Sequence, residues 1–350
     1  MNDSTNKRKI EHIDIVMNDK KTDRDKQYWD EIQLINRGLP QLDLEKVDTV
    51  VRFLGKTCSF PLLISSMTGG DHDHLETINH NLAAAAEKTN VPMAVGSQRV
   101  MFTAPKSYKS FTLRDKAPSI PLIANLGAVQ LNYGFDETQC QQAIDILNAD
   151  ALYLHLNPLQ ETIQPEGDTN FSGLAEKIGH IGRILKIPVI LKEVGAGLSR
   201  PDALLAVEQG IRYLDIAGRG GTSWSRIENS RFPNSEQLGL IFQDWGIPTP
   251  AALHQLKSLR HQCTLIASGG IRTGIDMAKA VILGADMCGI AGPFLKYAMD
   301  STERVIDYIL KLKTEFRTAM FLLGAASIKE LKYNETLILH DPFKRYETEK

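Results

Sequence analysis

From residue 61 onward the chain repeats one unit: a short apolar run, a polar or glycine-bearing ending, then a helical stretch. The apolar runs cover residues 61–66, 92–95, 121–127, 151–156, 188–193, 212–217, 263–267 and 286–290. Each has the length and composition of a buried strand. An alanine-rich helical stretch passes through residues 81–87, and others lie near 106–115, 136–147 and 172–186. A further helix opens at Pro201, two more lie near 235–245 and 249–260, and helical material runs from about 291 to 324. Eight strands alternating with eight helical segments predict an α/β fold, a TIM (β/α)8 barrel. A doubly wound sheet, the main rival, requires neither eight units nor a polar signature after almost every strand.

The fourth strand alternates, so Leu152, Leu154 and Leu156 share the face that meets helices. Tyr153, His155 and Asn157 share the other. Pro158 ends the strand and leaves Gln160 and Glu161 on the loop just beyond. Polar groups at the carboxyl ends of strands are where α/β proteins place their chemistry.

Three parts follow from the pattern. Residues 1–58 read as an irregular amino-terminal arm that carries the basic cluster Arg8-Lys9-Ile10-Glu11-His12, residues 59–330 as the barrel, and residues 331–350 as a polar tail. A long polar loop from Gly218 to about Pro233 reads as a lid. The 40 basic and 42 acidic side chains nearly cancel, which excludes a global field for nucleic acid or an anionic membrane. Cys58, Cys140, Cys263 and Cys288 form no CxxC pair and read as buried thiols of a reducing compartment. With no apolar h-region and no apolar run near ~20 residues, the expectation is a cytoplasmic protein.

The glycine-bearing strand ends carry the clearest chemistry. Ser268-Gly269-Gly270 and Ala291-Gly292 follow the seventh and eighth strands, where barrels commonly bind phosphate. Either pair alone would equally well make a tight turn; both together favour phosphate. A Walker A loop and a Rossmann fingerprint are absent from the sequence. Thr68, Ser97, Asn125, Lys192 and Thr222 ring the expected mouth with donors. Lys192 shares an inward face with Ile190, which is costly unless it meets a negative group, either a ligand or Glu193 or Asp215. Phosphate at strands seven and eight with donors around the mouth fits flavin mononucleotide, and many other phosphorylated ligands fit the same frame. Glu161 alone is a solvated loop glutamate, but with a diphosphate substrate it becomes a credible single protein ligand to magnesium. His155 has the competing role of a satisfied core histidine.

At these positions the chain resembles the type 2, flavin-dependent isopentenyl-diphosphate isomerases. The resemblance runs through Arg8-Lys9 with Glu11-His12, Met67-Thr68-Gly69-Gly70, Gly96-Ser97-Gln98-Arg99, Asn125-Leu126-Gly127, His155 to Glu161, Lys192 to Gly195, Gly220 to Ser223 and Ser268-Gly269-Gly270. It implies FMN, Mg2+ and a reductant such as NADPH that keeps the flavin reduced without net redox turnover. It implies flavin contacts from Ser66, Met67, Thr68, Ser97, Asn125 and Lys192, and from Thr222, Gly270, Arg272, Ala291 and Gly292. By the same resemblance Arg8, Lys9, His12, Arg99, His155, Asn157 and Gln160 face an isoprenoid diphosphate, with Gln160 nearest the alkene, and Glu161 holds magnesium. Homotetramers or octamers are implied as well. The alternatives are a flavin barrel of the 2-hydroxy-acid oxidase or IMP-dehydrogenase-like type, and a non-catalytic phosphate-binding barrel.

Overall fold

A computed structural model of the chain describes residues 4–232 and 237–347. Eight parallel strands close into a barrel: β1 (Leu62–Ile64), β2 (Met93–Ala94), β3 (Leu122–Gly127), β4 (Ala151–Leu156), β5 (Val189–Glu193), β6 (Tyr213–Asp215), β7 (Thr264–Ser268) and β8 (Met287–Ile290). β8 pairs back onto β1, so the barrel has no free edge. Every strand expected from the apolar runs is present, and the fold is the TIM barrel.

Period two decides what each strand buries. Leu152, Leu154 and Leu156 of β4 pack outward in the layer shared with the helices, whereas Tyr153 joins Leu63, Ile123, Ile190, Ile266 and Met287 inside the barrel. A hairpin, Val51–Phe53 paired with Lys56–Cys58, adds Phe53 and Cys58 to that inner cluster. Phe53 meets Tyr213 edge-on, with ring centroids 6.4 Å apart. The floor of the barrel is therefore packed, and space remains only toward the carboxyl ends of the strands.

Several elements differ from expectation. The arm is not irregular throughout: α1 (Ser4–Asn18) opens the described chain. Ile10, Ile13 and Val16 recur every three residues and pack against the core, a narrow apolar stripe easily lost among charges. Gln160 and Glu161 sit on a short helix, α2 (Pro158–Ile163), rather than on a loop. The proline that stops the strand also starts this helix, since its fixed φ suits a first helical position. The lid loop folds into α3 (Trp224–Arg231), and residues 233–236 lie outside the described residues. The helical stretch expected at 106–115 holds a 3-10 helix, Pro105–Ser110, and another, Gln98–Phe102, precedes it. Of the stretch near 235–245, residues 235 and 236 lie outside the described residues, and the rest holds one short helix, Leu238–Ile241.

The carboxyl-terminal segment is docked, not a free polar tail. Ile338–His340 pairs antiparallel with Gln33–Leu34, and Phe343 is buried against Tyr28 with ring centroids 6.2 Å apart. His254 Nε2 lies 2.7 Å from Asp341 Oδ2. No helix among the described residues is long and apolar enough to cross a membrane.

Candidate active site

One cavity of about 270 Å³ opens at the carboxyl ends of the strands. Every residue singled out above as a flavin, substrate or metal contact lines it. The cavity has two differently built ends.

At the glycine end, backbone forms the wall. Gly269 and Gly270 have φ of +101° and +77°, and a Cβ on Gly270 would meet the Gly220 backbone at 2.9 Å. Only glycine fits there without displacing the neighbouring loop. Gly292 opens α4 (Gly292–Asp300) with Pro293 next to it, and its first-turn N–H groups have no partner within the helix. Together these loops aim backbone donors and a helix amino terminus into the cavity. Arg272 binds the loops to one another: Nη1 donates to Gly270 O (2.8 Å), and Nη2 to Gly220 O (3.0 Å) and Asp23 Oδ1 (2.7 Å). Ser66 Oγ and Thr68 Oγ1, both buried in the cavity wall, have no hydrogen-bond partner in the protein.

His155 sits in register between Gly127 on β3 and Lys192 on β5. Asn125 Nδ2 donates to Val95 O, so its Oδ1 is the atom facing His155 Nδ1 at 2.8 Å. The proton therefore lies on Nδ1, and Nε2 is left as an acceptor. Burial, reinforced by Lys192, Lys9 and Arg99, pulls this imidazole down to about 4, so it is neutral at pH 7. Lys192 realises one of the two pairings open to it: its Nζ is 3.1 Å from Asp215 Oδ2. Glu193 turns away and accepts from the backbone N–H groups of Gly195, Ala196 and Gly197.

At the other end long side chains form the wall. α1 lies along the cavity, and Lys9 Nζ donates to Gly69 O and, at 2.7 Å, to Ser97 O. Burial, then Arg8, lower the Lys9 ammonium to about 7. Arg8 lies 3.8 Å from Glu166, and Arg99 Nη1 is 2.8 Å from Asp168 Oδ2. Gln130 Nε2 donates to the same Asp168 oxygen, while the Asp168 N–H donates to Glu161 Oε2 at 2.8 Å. Asn157 Nδ2 donates to Glu161 Oε1 (2.8 Å) and leaves its own Oδ1 buried and unpartnered.

Gln160 is held by a residue that periodicity did not find. Its Nε2 donates to Glu228 Oε1 at 2.7 Å, and Glu228, on α3, is fully buried. His12 Nε2 lies 2.9 Å from the same oxygen, close enough for an ion pair though off hydrogen-bonding geometry. Arg231 Nη1 donates to Glu228 Oε2 at 2.7 Å. Burial alone would raise the Glu228 carboxyl, but His12, Gln160 and Arg231 outweigh it and hold it at about 2. Arg231 also reaches Glu11 at 3.0 Å, so α1 and α3 are clamped over α2. A hub whose partners Gln160 and His12 lie far away in the sequence leaves little local pattern; its one local trace is the i,i+3 spacing of Glu228 and Arg231.

The match to proteins of known name agrees with this geometry. The FMN-dependent dehydrogenase family model matches residues 1–103 and 146–338. A relative from Hydrogenovibrio crunogenus, named isopentenyl-diphosphate delta-isomerase, is 57% identical over 334 residues, covering 95% of this chain and 97% of its own. One of the same name from Paracoccus zeaxanthinifaciens is 55% identical over 336 residues, covering 95% and 96%. The chain belongs to the isopentenyl-diphosphate delta-isomerase family. The flavin-type family model marks it as the flavin-dependent form. Among solved structures, the flavin-binding domain of baker's yeast flavocytochrome b2 shares the fold, with a TM-score of 0.69 at 19% identity over 93% of this chain and 80% of that one. A mandelate oxidase aligns with a TM-score of 0.63 at 21% identity, over 87% and 86%.

The isomerase residues fit a flavin. Unpartnered buried hydroxyls at Ser66 and Thr68, a glycine cradle that excludes side chains and a lysine on the cavity floor offer donors for ring and phosphate. Magnesium has a narrower fit. Each Glu161 oxygen accepts one hydrogen bond, which leaves lone pairs for a metal. Among the described residues no cluster of three or more His, Cys, Asp or Glu could hold an ion by itself. All four cysteines are free and buried, and burial raises Cys58 to about 11 and Cys140 to about 12. No thiol of that kind serves as the loop nucleophile an IMP-dehydrogenase-like reaction requires.

Proposed function

We propose that this chain interconverts isopentenyl and dimethylallyl diphosphate, with reduced FMN as the acid–base group and Mg2+ on the diphosphate. The observation that carries the reading is the division of one cavity between a backbone-built phosphate cradle and a cation-rich wall over a buried amide–carboxylate cluster. Reduced FMN, when bound, supplies proton transfer at the alkene. Ser66, Thr68, Asn125 and Lys192 would hold its ring, with Met67, Ser97 and Thr222 beside them. Gly270, Arg272, Ala291 and Gly292 would hold its phosphate.

The chain's own residues do the rest. Arg8, Lys9 and Arg99 offset the diphosphate charge; His12 is engaged with Glu228 and steadies the wall. Lys9 gains a counter-charge it lacks among carbonyl partners. His155, neutral, and Asn157 orient diphosphate oxygens rather than neutralise them. Gln160 is aimed by Glu228 and positions the alkene; an amide is too poor an acid to protonate it at neutral pH. Glu161 would hold Mg2+ together with substrate phosphate oxygens and water. α1 and α3 exclude water, which would quench a carbocation-like centre. NADPH as the reductant, a cytoplasmic location and a homo-oligomeric state complete the reading, and four buried free thiols suit a reducing compartment.

Isopentenyl diphosphate incubated in D2O with protein, FMN, Mg2+ and dithionite should exchange protons and yield dimethylallyl diphosphate. Recovery of unlabelled substrate alone, from protein that has bound the flavin, would overturn the assignment.

A further inference from the structure

Beneath the cavity floor lies a charged cluster of which the proposed function uses only Lys192. Asp215 on β6 is fully buried and accepts from Tyr153 Oη at 2.8 Å and from Ser268 Oγ on its other oxygen. Its third partner is Lys192 Nζ at 3.1 Å, whose ammonium also lies 5.6 Å from the Tyr153 ring centroid. β4, β5, β6 and β7 each contribute one member, and Lys192 and Ser268 line the cavity while Asp215 and Tyr153 stand behind them. Burial, then the neighbouring Asp215 charge, push the Tyr153 phenol well up, so it remains a neutral donor.

Stability alone does not call for this cluster. A buried ion pair gains little over well-packed apolar groups of the same volume, and the inner layer around it is otherwise apolar. Its effect is to hold one positive and one negative charge in a fixed order, the positive one nearer the cavity. An uncompensated ammonium there would favour any ligand that carries negative charge, and a flavin gains negative charge on reduction. Asp215 sets how strong that preference is.

We infer that Asp215 is a positioning and charge-balancing residue for Lys192, fixing the ammonium at the cavity floor and limiting how far the site favours reduced over oxidised flavin. The inference rests on the flavin reading above. Tyr153 and Ser268 keep the carboxylate aimed at Lys192 and away from the ligand.

The test measures dissociation constants of oxidised and dithionite-reduced FMN for the apoprotein, with circular dichroism melts as a folding control. In Asp215→Asn the ratio of oxidised to reduced constants should rise at least tenfold, equivalent for a two-electron couple to a midpoint about 30 mV more positive. In Lys192→Met the ratio should fall, because the carboxylate is then unopposed. The double variant should return to within about threefold of the wild type, because the site then loses the positive and the negative charge together. If Asp215→Asn does not fold, the step from Lys192→Met to the double variant carries the same test. A ratio unmoved by Asp215→Asn, with both constants changed equally, would reduce Asp215 to scaffold and overturn the inference alone. No recovery in the double variant would also overturn it. Wild-type protein that takes up no FMN overturns the functional reading together with it.

Discussion

The two ends of the cavity are built from different materials. Around Gly269, Gly270 and Gly292 the wall is backbone, held by glycine conformations and by the barrel register. Around Gln160 and Glu161 the wall is long side chains from α1, α2 and α3, tied by the Glu11–Arg231 and His12–Glu228 ion pairs and the Gln160–Glu228 hydrogen bond. The first end is rigid because the barrel over-determines it. The second exists only when three separate segments are docked at once, so it is suited to open and close around a substrate. Damage to the first should cost cofactor, and damage to the second should cost turnover or substrate affinity while the flavin stays bound.

The sharpest way to break that contrast is Gln160→Asn. It shortens the amide away from Glu228 and should lower turnover by about 100-fold or more with the flavin spectrum unchanged. Turnover near wild type would remove Gln160 from the alkene site. Deleting residues 1–12 should come next: substrate KM rises at least about tenfold, roughly 1.4 kcal/mol of binding, with little change in melting temperature. Unchanged kinetics would mean that α1 is only packing. Glu161→Gln should weaken the magnesium dependence of turnover without loss of flavin, and an unaltered magnesium titration would exclude it as a ligand.

The smallest effects are in pH. Glu228, held at about 2 against a usual 4.5, contributes stability above pH 4.5 that is lost as pH falls toward 2. His155, lowered to about 4 from 6.5, acts in the same direction: unfolding takes up a proton, so stability falls as pH drops from 6.5 to 4. Lys9, lowered to about 7, gives stability that rises between pH 7 and 10.5, where only the unfolded chain keeps the proton. Proteolysis of the arm should therefore slow from pH 7 to 9 in the free protein, whereas diphosphate, which needs Lys9 charged, should bind more weakly over the same range. Parallel trends in the two assays would detach Lys9 from the substrate.

The same contrast explains what the sequence made legible. Parallel strands covered on both faces read as apolar runs, so all eight were visible, as was the inward face of Tyr153, His155 and Lys192. Strand-end glycines marked the cradle because a turn or close approach leaves a one-residue trace. Glu228, Arg231 and Asp168 left little, since Gln160 and His12, Glu11, and Arg99, which they hold, lie far away in the chain. α1 was hidden by its charges, and the docking of Phe343 on Tyr28 spans the whole sequence. The division of labour among His155, Asn157, Gln160 and Glu161 came from family resemblance, and the geometry adds the partners that aim them.

The most direct test of the central claim counts products per reducing equivalent. Wild-type protein with FMN and Mg2+ is reduced once, anaerobically, with a limiting amount of NADPH or dithionite, and then given excess isopentenyl diphosphate. Acid–base use of the flavin predicts many molecules of dimethylallyl diphosphate per equivalent, with the flavin still reduced at the end. One equivalent consumed per product would make the chemistry a net redox reaction and contradict the account.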